Sequence, residues 1–204
     1  WGQISTTGAW IKLSYTVAVN AEYNVKITAK DEDIIKMYGK DTFDVRKDVY
    51  EPLLKKTYNF WKQIGNPEYY TDTDGNARYE KGKCSLNESE HYLIIPSFSP
   101  ENKPFGYHSA ITANAAMDIS AAKDVINMYT EMLNYTKVDG YEQAVSEAEA
   151  LLRLLPDFMY DESGAVKEWS MKEYGENNAH RHISHLYPAW PALQTQHDSK
   201  LAAA

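Results

Sequence analysis

The chain has 204 residues, of which 43% are hydrophobic and 25% charged, a composition typical of a globular protein with a sizeable core. Its formal net charge of −8, with no dense stripe of Lys and Arg, argues against a nucleic-acid partner. No apolar run reaches the ~18–20 residues of a membrane span, and the single cysteine, Cys84, excludes an intrachain disulfide. We therefore expect a single domain over residues 1–204 that meets a neutral small molecule, a glycan or a basic surface.

Helical patterns dominate the predicted elements of the first third of the chain. A helix is predicted over residues 7–24, capped by Thr6 or Thr7, with an apolar face at helical spacing formed by Trp10, Leu13, Val17 and Ala21. Residues 31–40 are predicted to form a short polar helix or loop. A longer amphipathic helix is predicted over residues 48–64, and Gly65-Asn66-Pro67 ends it.

The remainder is predicted to alternate between long loops and helices. A hairpin turn is expected at Asp74-Gly75, and the apolar run 91–95 is expected to be extended. Helices are predicted over residues 114–134 and 141–155, followed by a long connection and a last helical turn near His185. The predicted fold is mostly α, and this pattern alone fits an α/α toroid and an irregular helical bundle equally well.

The segment Pro96-Ser97-Phe98-Ser99-Pro100-Glu101-Asn102 contains the first candidate for chemistry. Its two prolines hold the backbone away from helix, so Glu101 is expected in a stiff loop with apolar and aromatic neighbours. A carboxyl group that is partly shielded from water can serve as a proton donor near neutral pH. Glu101 is therefore a candidate general acid, although an ordinary loop carboxylate would have the same local sequence.

The segment His180-Arg181-His182-Ile183-Ser184-His185-Leu186-Tyr187 is the second candidate, since it holds three of the six histidines. A metal site is one interpretation, but the spacing is not His-Glu-x-x-His and no fourth ligand is identifiable. A substrate-binding loop is another, because Arg181 offers a rigid fork of donors and His182 a ring donor and acceptor. Histidines that only bond backbone carbonyls remain equally possible.

Two further features could belong to a site. Glu168, next to Trp169, could orient Arg181 or a histidine, although a surface acid beside a core tryptophan is the commoner arrangement. Trp10 could form the wall of a pocket, although its spacing alone favours a role in packing. The chain also has 16 Tyr and 5 Trp, whose flat faces and polar tips suit sugar rings as well as a core.

Taken together, these segments resemble one family, glycoside hydrolase family 95, in which they occur in the same order. The resemblance spans roughly residues 7–191 and rests on the two candidate segments, on Glu168-Trp169, and on two helix-start matches, Gly8-Ala9-Trp10 and Tyr50-Glu51-Pro52-Leu53-Leu54-Lys55. Members of that family are inverting α-L-fucosidases, and some act on α-L-galactosides.

The resemblance implies a fold, a substrate and a set of site residues. The fold would be a portion of an (α/α)6 barrel, and the partner a fucosylated oligosaccharide or glycan. Glu101 would be the general acid, Arg181 and His182 would contact the sugar, Asn102 would steady the acid loop or touch the sugar, and Trp10 would wall the pocket. No metal or organic cofactor is implied, and a secreted or cell-surface bacterial enzyme is favoured, although no signal peptide is visible.

The chain departs from the family pattern at the second half of the catalytic pair. The family's general base is an aspartate after the His-Arg-His motif, and asparagines in an Asn-x-Asn motif before the Gly-Ala-Trp segment help to activate its water. Neither is found here, and Asp198 lies in no matching context. We therefore expect a central portion of the catalytic domain that hydrolyses little or nothing by itself. A non-catalytic carbohydrate-binding helical domain, a His-rich metal-binding protein and a polysaccharide lyase are the alternatives.

Overall fold

A computed structural model describes the backbone of three N-terminal strands, 3–6, 9–16 and 24–28, together with Asp44 and residues 46–204. The composition predicts one domain over residues 1–204. The chain separates into two compact units, Trp1–Pro52 and Leu53–Ala204. The strands of the first unit pair with one another, and the second unit has hydrophobic core clusters of its own. Each unit is described by itself.

The first unit contains an antiparallel sheet with the strand order β1-β2-β3, formed by Gln3–Thr6, Ala9–Thr16 and Asn24–Thr28. The helix predicted over residues 7–24 is therefore wrong where β2 lies. The sequence of β2 alternates, with Ile11, Leu13 and Tyr15 separated by Lys12 and Ser14, and this period of two favours a strand with pairing partners on both sides. Trp10 lies on β2 opposite Ser5, and its side chain lies outside the described residues. The segment predicted over residues 31–40 also lies outside them.

The predicted helix over residues 48–64 is confirmed. A π-helical turn, Arg46–Tyr50, leads into helix α1, Glu51–Ile64. Pro52, which has no backbone N–H to donate, is tolerated at the second position of α1. Tyr58 is buried in the main core, and Leu54, Trp61 and Ile64 pack against it.

A second antiparallel sheet follows, with the order β5-β4-β6. Its strands are β4, Tyr69–Thr71, β5, Ala77–Tyr79, and β6, His91–Tyr92. The predicted hairpin turn at Asp74-Gly75 is confirmed, and Gly75 has φ +75°, a conformation that favours glycine. Asp72 stabilises the turn by accepting hydrogen bonds from the Asp74 and Asn76 amides, and the bond from Asn76 is the main cause that lowers the pKa of Asp72 to about 2.

Helices α2, Ala116–Thr136, and α3, Tyr141–Leu154, form the centre of the second unit and lie within two residues of their predicted bounds. Four residues connect them, with Lys137 and Gly140 in left-handed conformations. The main core consists of fully buried or nearly buried side chains from α1, α2 and α3 and the segments beside them: Tyr58, Ile94, Ile119, Ala122, Ile126, Tyr129, Leu133, Ala148, Leu151 and Leu155.

Residues 155–204 are mostly irregular, with 3-10 turns at Ser184–Leu186 and Gln194–Gln196 and a short helix α4, Ser199–Ala203. A mostly helical fold is thus confirmed, and the described sheets have three strands each where the sequence predicts only a short hairpin. Of the helices that the structure describes, none has the length and apolar character required to cross a membrane.

Candidate functional site

The loop of residues 96–102, called the acid loop below, is anchored at the start of α2. Asp118 Oδ2 accepts hydrogen bonds from the Ser97 hydroxyl (2.6 Å) and from the Phe98 amide (3.1 Å). The Ser97 hydroxyl oxygen in turn accepts from the Ala115 amide (2.9 Å), and Ser97 pairs with Thr112 through both backbone groups. Asp118 lies in the first turn of α2, where the helix dipole favours a negative charge.

Glu101 lies at the end of this loop with φ +56°, the left-handed region that non-glycine residues rarely adopt. Its side chain is 56% exposed. The expectation of a carboxyl group partly shielded from water is therefore wrong for the described residues. Pro100 stiffens the loop, but a backbone that turns at Glu101 directs the side chain to the surface and away from the core.

The two candidate segments meet at this carboxylate, although 80 residues separate Glu101 from Arg181. Arg181 Nη2 donates to Glu101 Oε2, and His182 Nε2 lies 3.2 Å from the same oxygen. Within residues 46–204, the hydrogen bonds to Glu101 go to Oε2 rather than Oε1. The Glu101, Arg181 and His182 side chains all remain open to solvent, with exposed fractions of 56%, 70% and 41%.

The His182 ring has two competing partners. Arg181 Nε donates to His182 Nε2 at 3.2 Å, and Glu101 Oε2 lies at the same distance from that nitrogen. A ring nitrogen either accepts from Arg181 or donates to Glu101, so the tautomer of His182 selects one contact. The His182 amide donates to Nδ1 of His180 (3.2 Å), which fixes the backbone of the segment.

Asn102 is only 2% exposed, in contrast to its neighbour Glu101. Its side-chain Oδ1 accepts from the Lys103 backbone amide (2.9 Å) and from the side chain of Asn177 (3.1 Å). Its backbone amide donates to the Ser99 carbonyl oxygen (3.0 Å). Of the two roles expected for Asn102, these contacts are those of a residue that steadies the loop.

A buried carboxylate, Glu168, lies behind the exposed groups and is 3% exposed. The Ser99 hydroxyl donates to Glu168 Oε1, and His185 Nδ1 lies 2.5 Å from Oε2. The hydrogen bond that His185 donates to Glu168 raises the pKa of His185 above its ordinary value, and burial opposes this shift. The structure thus places Glu168 against a histidine, one of the two arrangements considered for it.

Glu176 completes this inner group. Its Oε2 accepts the Glu168 amide (2.8 Å), while its Oε1 is buried and has no hydrogen-bond partner among the described residues. Burial is the main cause that raises the pKa of Glu176. Sequence patterns gave no indication of Glu176, Asp118 or Asn177, because each acts through a contact between segments distant along the chain.

The metal interpretation finds no support in this geometry. His185 faces Glu168 while His182 faces Glu101, and no three His, Cys, Asp or Glu side chains in the described part of the chain could hold a metal ion. A cavity of about 490 Å³ is lined by residues such as Lys123, Tyr160 and His197 and does not include Glu101. The Glu101, Arg181 and His182 side chains are instead exposed to solvent.

Comparisons with known proteins identify the family of the chain. The family model described as the glycosyl hydrolase family 95 catalytic domain matches residues 37–204, which include Glu101, Arg181 and His182 but not Trp10. A relative named Alpha-L-fucosidase 2, from Arabidopsis thaliana, is 26% identical over 101 residues. That match covers 47% of this chain and 12% of the relative's length. With the family match extending over most of the sequence and over both segments that meet at Glu101, the chain belongs to glycosyl hydrolase family 95, within its catalytic domain.

Proposed function

We propose that Glu101, Arg181 and His182 form the acid side of an inverting α-L-fucosidase site. The observation that carries this proposal is the meeting of the acid loop with the His-Arg-His segment at one carboxylate. A carboxylate beside a guanidinium fork and an imidazole is suited to hydrolysis of a glycoside, in which one group supplies a proton and its neighbours bind hydroxyls.

In the proposed reaction, Glu101 protonates the glycosidic oxygen of a terminal L-fucose or L-galactose. The bond between that oxygen and the anomeric carbon breaks, and a water attacks the opposite face of the ring and gives up its proton to a general base. Inverting enzymes place the acid and the base about 6.5–9.5 Å apart to leave room for this water. We assign the proton to Glu101 Oε1, which accepts no hydrogen bond from residues 46–204.

The Glu101–Arg181 ion pair defines the state before substrate binds. An adjacent guanidinium stabilises an ionised carboxylate, whereas a general acid must carry its proton. We propose that the sugar hydroxyls replace Glu101 as the partners of Arg181 and thereby favour the protonated acid. Both side chains are largely exposed, so this exchange requires no rearrangement of the core.

The general base is not assigned to a residue of this chain. Asp198 is the one acidic residue after His182 in the sequence. Its Oδ1 caps α4 by accepting the Lys200 and Leu201 amides at 2.9 and 3.0 Å, the geometry of a helix cap. The role of Trp10 as a pocket wall and the portion of an (α/α)6 barrel remain proposals of the same kind.

Hydrolysis of an α-L-fucoside with an unactivated leaving group tests the assignment of Glu101. We expect very slow release of L-fucose in water and faster formation of β-L-fucosyl azide when azide replaces the activated water. Glu101→Gln should abolish both products, whereas Glu131→Gln, an exposed carboxylate on α2, should leave them unchanged. Product that forms equally well in Glu101→Gln would contradict the proposal. Sugar binding with no product under either condition would favour the non-catalytic carbohydrate-binding alternative.

A further inference from the structure

We propose that Glu168 is a positioning residue that ties the acid loop to the His-Arg-His segment and so sets the separation of Glu101 from Arg181 and His182. This inference rests on the proposed function for its consequence in sugar binding, but the tie itself is a property of the fold. It assigns a role to a buried carboxylate that would not touch the substrate.

The first argument is that each oxygen of Glu168 has its own partner. Oε1 accepts from Ser99, and Oε2 contacts His185. Ser99 lies two residues before Glu101, and His185 lies three residues after His182. Since a residue spans at most about 3.6 Å of chain, both contacts lie within about 11 Å of chain from the groups that they position.

The second argument is that the backbone of Glu168 is itself fixed. Its amide donates to Glu176 Oε2 (2.8 Å), and its carbonyl accepts from the Ala116 amide (2.9 Å) at the start of α2. The next residue, Trp169, is fully buried and forms a backbone bridge with Ala115. Because α2 also carries Asp118, which anchors the acid loop, one helix start supports both Glu168 and the acid loop.

The third argument concerns charge. A buried carboxylate is costly unless it is paired and hydrogen-bonded. Glu168 is 3% exposed, and the partners that compensate it are the Ser99 hydroxyl and the His185 ring. The raised pKa of His185 agrees with an imidazolium against the carboxylate. The pair therefore has a reason to persist whether or not a sugar is bound.

Hydrogen exchange in Glu168→Ala, Glu168→Gln and a matched control measures the tie directly. The control is Glu90→Ala, because Glu90 is also a buried carboxylate, pairs with Lys83 at 3.2 Å and has no contact with either segment among its hydrogen bonds. Two amides report on the two ends: that of Asn102, bonded to Ser99, and that of Leu186, bonded to Ile183. Rates are taken relative to amides in the middle of α2.

We expect Glu168→Ala to accelerate exchange about tenfold or more at both amides, since hydrogen bonds to charged groups are the stronger ones. Glu90→Ala should accelerate neither amide. Glu168→Gln should restore protection at pH 8, because its Oε1 still accepts from Ser99 and its amide group can donate to a neutral His185. Acceleration at one amide only, or equal acceleration in Glu90→Ala, would overturn the proposal.

If Glu168→Ala does not fold, Ser99→Ala provides the second variant. Removal of the Ser99 hydroxyl should accelerate exchange at Leu186, on the far side of Glu168, and unchanged exchange there would refute the tie. The affinity for L-fucose separates this proposal from the proposed function. If the wild type binds L-fucose, Glu168→Ala should weaken binding about tenfold, and equal affinity would refute positioning. If the wild type binds no L-fucose, the proposed function fails, and the exchange rates still decide the role of Glu168.

Discussion

Removal of the Asp118 carboxylate is predicted to destabilise the acid loop and the unit that contains it. Asp118 Oδ2 accepts the Ser97 hydroxyl at 2.6 Å and the Phe98 amide at 3.1 Å, and Ser97 is 2% exposed. A hydrogen bond to a charged group contributes about 1.5–3 kcal/mol, and a carboxylate in the first helical turn about 0.3–1 kcal/mol. Asp118 is half-buried, so the lower parts of these ranges apply, and Asp118→Ala should cost about 3–4 kcal/mol.

Thermal and urea unfolding, followed by circular dichroism, measure this loss. A cost of that size corresponds to a fall in Tm of roughly 6–16 °C for a domain of 150–250 residues. The matched control is Glu131→Ala, an exposed carboxylate later on the same helix, for which we expect a change within about 0.5 kcal/mol. Asp118→Asn, which keeps one acceptor oxygen without its charge, should fall between them. A cost of Asp118→Ala within about 1 kcal/mol of the control would refute this account of the acid loop.

Three further predictions concern the inner carboxylates and the core. The pKa of His185 is raised above 6.5, so the stabilisation from its pair with Glu168 is complete below pH 6.5 and is lost as the pH rises through the folded-state pKa. The stability advantage of the wild type over His185→Asn, measured by urea unfolding, should therefore shrink as the pH rises. An advantage that grows with pH would contradict the pair. Burial raises the pKa of Glu176 above 4.5, so ionisation should cost the wild type stability relative to Glu176→Gln as the pH rises above 4.5, and a pH-independent difference in unfolding free energy would contradict this. Ile126→Ala, at a fully buried position, should cost about 2–5 kcal/mol in the same assay, while Leu53→Ala, at a position 59% exposed, should cost far less; equal costs would contradict the assigned core.

The helices α1, α2 and α3 were predictable from sequence because each carries an apolar stripe at helical spacing that packs into one core. The segment 7–24 was not, because apolar residues at positions 10, 13, 17 and 21 fit a helix while Ile11, Leu13 and Tyr15 fit a strand. Pairing with β1 and β3 decides between these patterns, and local sequence does not contain that information.

Within the site, local residue chemistry made Glu101, Arg181 and His182 candidates, and the resemblance to a family then assigned a role to each of them. Proline stiffening indicated a defined loop, but it could not indicate that Glu101 would lie exposed at a positive φ. The inner contacts of Glu168 join residues that are distant in sequence, so no periodicity or spacing reveals them. Buried polar networks of this kind become visible only when the segments that they join are placed side by side.

Titration of the isotopically labelled chain with L-fucose, followed by NMR, tests the central claim most directly. The account predicts saturable shifts of the Arg181 side-chain and His182 ring signals, and their loss in Arg181→Ala. Arg153→Ala, which removes an exposed arginine in the last turn of α3, should bind L-fucose as the wild type does. Absence of saturable shifts, or binding that is unaffected by Arg181→Ala, would contradict a sugar site at Glu101, Arg181 and His182.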